Sequence, residues 1–130
     1  MTTGTLYLSY FSRILADPPN NVKFSIVRRK LPFVEQLDIN DNLINLAPPE
    51  DLLDDWKSNK ISWVTYTNRY IQQLNTPMAL QDLSIILKLL DEGVDVTVYC
   101  YCGKGKNCHR YILGDICSKL KYKVIDCIYT

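Results

Sequence analysis

The stretch Val94-Asp95-Val96-Thr97-Val98-Tyr99-Cys100-Tyr101 runs directly into Cys102-Gly103-Lys104-Gly105-Lys106-Asn107, and a new apolar periodicity starts at Cys108. The first part is dense in β-branched and aromatic residues, the composition of a buried strand. The second holds two glycines among polar residues and reads as a loop. From Cys108 to Leu120, Ile112, Leu113, Ile116 and Leu120 recur at helical spacing and are expected to face inward. Lys123 to Tyr129 then returns as a strand. Strand, loop, helix and strand in that order predict a βαβ unit with parallel strands and a right-handed crossover.

Working outward, Thr5 to Tyr10 reads as a first strand and Asp17-Pro18-Pro19-Asn20-Asn21 as a turn. Val22 to Val27 resumes a strand that ends in the basic triplet Arg28-Arg29-Lys30. Pro32 and the Asp38-Ile39-Asn40-Asp41-Asn42 cluster favour loop, with a short strand near Leu43 to Leu46. Pro48-Pro49 before Glu50 and Asp51 marks a helix start, where a missing N–H is harmless and the helix dipole favours acids. Ser62 is placed to cap a helix from Trp63 to Leu74, with Trp63, Tyr66, Tyr70 and Leu74 on one side. Leu80, Leu83, Ile86, Leu87 and Leu90 form the apolar face of a third helix, stopped by Gly93. The expectation is one α/β domain: a small parallel or mixed sheet flanked by helices.

The totals fit that picture. The chain has 130 residues, 47% hydrophobic and 22% charged, enough for one ordinary core that buries roughly two-thirds of the unfolded surface. Fifteen basic and 14 acidic residues leave a formal charge of +1, which excludes a global basic field toward nucleic acid or membrane, so attraction to an anion is local. No apolar run reaches the ~18 residues of a membrane helix, and Met1-Thr2-Thr3-Gly4 lacks the pattern of a secretory leader. A cytoplasmic, reducing setting is therefore expected. An odd count of five cysteines then argues for thiols, thiolates or metal ligands rather than a disulfide framework.

In open α/β sheets, ligands bind beyond the carboxyl ends of strands, and residues 100–110 form such a junction. Gly103 and Gly105 let backbone amides turn toward an incoming group. Lys104 and Lys106 add charge, and the helix start adds its dipole, so an anion pocket is one reading. It is neither a Walker loop, whose spacing fails, nor a phosphatase loop, since the fifth residue after Cys102 is followed by Cys108 and not arginine. A second reading makes Cys108 a nucleophile, its thiol activated at a helix N-terminus beside His109 and Arg110. Adjacent helical residues point about 100° apart, so His109 does not automatically serve as its base. A third is zinc on Cys100, Cys102, Cys108 and His109; the Cys-x-Cys spacing is wrong for a knuckle, so neither metal nor cofactor is assigned. Cys117 and Cys127 are expected in the core. Trp63, Tyr66 and Tyr70 read more readily as core than as a stacking platform. Arg28 ends a strand on the edge that would carry the Cys108 loop.

The run Val98 to Leu113, with a cysteine closing a hydrophobic strand and Cys108-His109-Arg110 opening a helix, resembles the signature of the domain of unknown function 488 family. Cys-Tyr-Cys-Gly-Lys-Gly-Lys is similar to the form in short phage and bacterial members. Ile61 to Tyr70 resembles the family's aromatic helix, and Val27-Arg28 sits where the family has Asp-Val-Arg. Ile26 replaces that Asp, and Cys102 stands where an acidic residue is common. The resemblance implies a small Rossmann-like fold and a pocket joining Arg28, Cys100, Cys108, His109 and Arg110.

Three functions are carried forward. The leading one is binding of a phosphorylated, nucleotide-like small molecule or nucleic-acid fragment, with Arg28, Tyr66, Cys100, Cys102, Gly103, Lys104, Gly105, Lys106 and Asn107 as ligand-binding candidates. The second is a cysteine-dependent enzyme acting on a nucleotide or nucleobase through Cys108, His109 and Arg110. The third is a phage-type protein that sequesters a host protein or signalling molecule.

Overall fold

A computed structural model describes residues 2–103 and 105–129. Five strands, β1 (Thr5–Tyr10), β2 (Val22–Ser25), β3 (Asp41–Asn42), β4 (Val96–Cys100) and β5 (Lys123–Asp126), form one sheet in the order β3-β2-β4-β1-β5. Every neighbouring pair is parallel, with Leu8 opposite Val98 on one side and opposite Asp126 on the other. The parallel alternative thus holds, in a Rossmann-like α/β domain. The unit from β4 to β5 steps over β1, which lies between them. That position explains why β4 is buried along its whole length while β5, at an edge, is only half-covered.

The helices are α1 (Pro32–Glu35), α2 (Glu50–Lys57), α3 (Trp63–Leu74), α4 (Pro77–Asp91) and α5 (His109–Lys119). Ser62 caps α3 by accepting from the Thr65 amide at 3.2 Å, and Thr76 caps α4 by accepting from the Ala79 amide at 3.4 Å. Gly93, at φ +85°, ends α4 in the left-handed region that glycine adopts without penalty. The segment α5 packs against the sheet face bearing Leu8, where Gly114 leaves room; a Cβ there would lie 2.6 Å from Leu8 Cδ1.

Some boundaries differ from expectation for local reasons. The strand expected near Leu43 to Leu46 is a 3-10 turn at Ile44–Leu46, and the pairing segment is Asp41–Asn42. Asn42 makes this possible: its side chain accepts from Ser25 Oγ (2.7 Å) and the Val27 amide (3.2 Å) and donates to the Val27 carbonyl (3.0 Å), extending the ladder. The last strand stops at Asp126, and Cys127–Tyr129 is a 3-10 turn. Leu120 is 52% exposed rather than inward, because α5 ends at Lys119 and the chain turns away through Lys121 at φ +74°; Cys117 takes the buried position instead. Leu80 is likewise exposed.

The opposite sheet face is polar. Ser9 Oγ and the Tyr99 hydroxyl both donate to Asp17 Oδ2, at 2.6 and 3.0 Å. Asn21 donates to Thr97 Oγ1 at 3.1 Å, and the buried Lys23 ammonium donates to the Pro19 carbonyl at 2.7 Å. The Asp17-to-Asn21 cluster is therefore more than a turn, since it satisfies hydroxyls that the sheet buries. No helix among the described residues is long and apolar enough to cross a membrane.

Asp17→Ala removes the acceptor of two buried hydroxyls, at a cost of about 1–3 kcal/mol. In circular-dichroism melts the midpoint should fall by on the order of 5–10 °C, while Leu15→Ser, at a side chain 98% exposed, leaves it in place. Equal midpoints for the two variants would contradict the role given to Asp17.

Candidate functional site

Strand alternation at the end of β4 sends Tyr101 to one side and Cys100 to the other. Tyr101 packs its ring 4.9 Å from that of Phe11 and bonds the Arg29 carbonyl and Leu31 amide through its hydroxyl. Cys102 comes back to the side of Cys100. Cys108 lies just outside α5 as its N-cap, in extended conformation (φ −149°, ψ 148°). Its sulfur is therefore free of the helical 100° rule: it reaches Cys100 Sγ at 2.9 Å and His109 Nδ1 at 3.5 Å. The sulfurs of Cys100, Cys102 and Cys108 all lie within 4.8 Å of one another, and none of the five cysteines is in a disulfide.

His109 opens α5 and is buried. Its Nε2 is 2.6 Å from the Ile26 carbonyl, which can only accept, so Nε2 carries the proton and Nδ1 presents a lone pair beside Cys108. Tyr70 packs edge-on, 5.6 Å away. Burial pushes the imidazole down to about 4, against the opposing pull of the Ile26 bond, so it is neutral near pH 7.

Arg110 is 0% exposed. It donates from Nη1 to Cys100 Sγ at 2.8 Å and to the Cys102 carbonyl, and from Nη2 to the Gly103 carbonyl (3.3 Å) and Tyr111 hydroxyl (3.2 Å). The Tyr111 ring lies 4.7 Å beneath the guanidinium carbon. Among the described residues no carboxylate pairs with it. A guanidinium does not give up its proton in a protein, so the counter-charge comes from sulfur. Burial opposes the Arg110 charge, and the sulfurs of Cys100 and Cys108 more than offset that.

The thiols divide accordingly. Burial raises Cys100 to about 11 and also raises Cys108 well above the ordinary thiol value. Cys102 is pulled far down, because Cys100 and Cys108 donate toward its sulfur and the Arg110 charge adds to the effect, against the opposing effect of burial. The direct guanidinium bond nevertheless falls on Cys100, so the negative charge belongs to the three sulfurs as one titrating unit. Cys108 lacks the lowered thiol expected of a nucleophile at a helix start: it is 2% exposed and sits among sulfurs, not against helix amides.

Above this cluster opens a cavity of 780 Å³. Cys102, Cys108 and His109 reach it from below, and Arg28, Tyr66, Gly103, Gly105, Lys106 and Asn107 line its sides. Cys100 and Arg110 lie beneath the lining, and Lys104 is outside the described residues. Arg28 is fixed by bonds to the carbonyls of Ala47 (3.1 Å) and Pro48 (3.3 Å). Glu50, Leu53, Asp54, Trp56 and Lys57 of α2 form a wall that the motif reading does not include. Glu50, Leu53, Asp54 and Lys57, at i, i+3, i+4 and i+7, share one helical face, with Trp56 at its edge; that spacing is the signal that would have found them.

A family model described as the Active DUF488-N3 subclade matches residues 14–120. The chain belongs to the DUF488 family. No curated protein and no solved structure matches it. The DUF488 match runs from the turn after β1 through α5 and so contains every cavity-lining residue named above.

In this DUF488 domain a neutral, buried His109 makes folding acid-sensitive. The unfolded chain takes up a proton near 6.5 and the folded one only near 4, so this contribution is complete above 6.5 and is lost as pH falls toward 4. In denaturant titrations of chelator-treated protein it should reach about 3 kcal/mol. His109→Gln keeps an N–H donor toward Ile26 and should flatten that part of the pH profile; an unchanged slope would contradict the assignment.

Proposed function

We propose that the DUF488 cavity binds a phosphorylated, nucleotide-like small molecule. The observation that carries this reading is the pairing of a cationic edge with an aromatic wall in one cavity of ligand size. Its 780 Å³ falls within the roughly 300–1,000 Å³ of small-molecule sites. Arg28 is held in place by two carbonyls and has no ion pair among the described residues, so its charge is available to an anion. Lys57 and Lys106 are exposed at the same opening. Trp56, half-buried in the wall, offers a flat surface to a base and is backed by the buried Tyr66 ring 5.5 Å away. Glu50 and Asp54 offer acceptors to amino or hydroxyl groups. The turn around Gly105, at φ +77°, supports an anion-facing loop.

The same reading places the protein in a reducing cytoplasm, in keeping with five cysteines as thiols. A short single-stranded nucleic acid could present the same chemistry and forms one arm of the test.

Thermal shifts with inorganic phosphate, nucleoside mono-, di- and triphosphates and short oligonucleotides separate these ligands. The fitting member should stabilise by about 2.7 kcal/mol at a hundredfold excess over its dissociation constant. Arg28→Ala and Lys106→Ala should each weaken it about tenfold or more, an effect that shrinks as salt rises. No shift with any member at saturating concentration would overturn the proposal.

A further inference from the structure

Three sulfurs meet below the cavity although they come from a strand end, a loop and a helix cap. Cys100 and Cys102 share a side because strand alternation returns every second residue. Cys108 joins them because its extended N-cap backbone turns its sulfur back toward β4. All three sulfurs lie within 4.8 Å of each other. In a tetrahedral zinc thiolate with bonds of about 2.3 Å, sulfurs are separated by about 3.8 Å. The trio spans that distance, with the Cys100–Cys108 pair at 2.9 Å on the short side.

The surroundings match what a metal thiolate needs. Three thiolates and a divalent cation leave one negative charge, and the buried Arg110 supplies one positive charge, so the assembly is neutral where burial makes net charge expensive. Arg110 directs Nη1 at Cys100 Sγ (2.8 Å) and is itself pinned by loop carbonyls, the outer-shell arrangement that orients thiolate ligands. Cys102 and Cys108 both line the cavity, so the remaining tetrahedral position faces the space where a water or ligand oxygen can enter. All-sulfur ligation favours zinc among abundant divalent ions.

We propose that Cys100, Cys102 and Cys108 hold one zinc ion at the floor of the cavity, with its fourth position open to the cavity. This site does not depend on the anion reading, and its test is run without phosphate or nucleotide.

Chelator-stripped, reduced full-length protein is titrated with cobalt(II), the spectroscopic substitute for zinc, and then with zinc. One equivalent of cobalt should produce thiolate-to-cobalt charge-transfer absorption together with the intense visible bands of a tetrahedral centre. One equivalent of zinc should abolish both. Cys102→Ser, at a half-buried position that tolerates the smaller hydroxyl, should lose about a third of the charge-transfer intensity, as expected for three ligands becoming two. Cys117→Ser, remote from the trio, should leave the spectrum intact. The proposal is overturned by a weak octahedral spectrum without charge transfer, by an unchanged spectrum in Cys102→Ser, or by iron in place of zinc in the freshly purified chain.

Discussion

Arg110 is the constraint around which the rest is arranged. A guanidinium with no solvent exposure must find an opposite charge and partners for its N–H groups, or the fold carries a large desolvation penalty. Here the Nη groups donate to carbonyls of the loop leaving β4 and to Cys100 Sγ, while Nε has no partner among the described residues, and the opposite charge is sulfur from the cysteine trio. That single side chain ties the strand end, the loop and the first turn of α5 into one unit.

The sheet supports this arrangement from beneath. With β4 at its centre and parallel neighbours on both sides, its carboxyl end is the deepest point at which side chains can approach a cavity. One sheet face is closed by helices and apolar residues. The other is closed by the 11–21 segment, whose Asp17 and Asn21 satisfy sheet hydroxyls. The residue just after β2 adds a backbone contribution, since the Ile26 carbonyl orients His109.

Much of this is legible in residue order. Periodicity and capping residues locate β1, β4, α3 and α5 closely, because each has a strong pattern and a clear stop. The Cys-to-Arg segment likewise stands out as the candidate site, and the cavity opens beside it. The 31–46 region does not, since its pairing depends on an asparagine side chain substituting for backbone, which no hydrophobic pattern records. The strand order is hidden as well: placing β1 between β4 and β5 is a tertiary choice. For the site, residue spacing makes Cys108 look like a thiol facing the helix amides, whereas its extended N-cap backbone turns its buried sulfur toward Cys100 instead. The α2 wall escapes notice because Trp56 and Lys57 become site residues only when the helix packs beside the 102–109 loop.

The central claim is that sulfur carries the counter-charge of a buried arginine. Ultraviolet thiolate absorbance of reduced, chelator-treated protein across a pH series tests it most directly. The account predicts about one thiolate per chain persisting down to about pH 6, well below the ordinary cysteine value of about 8.5. A chain showing no thiolate until the pH approaches that ordinary value would contradict it.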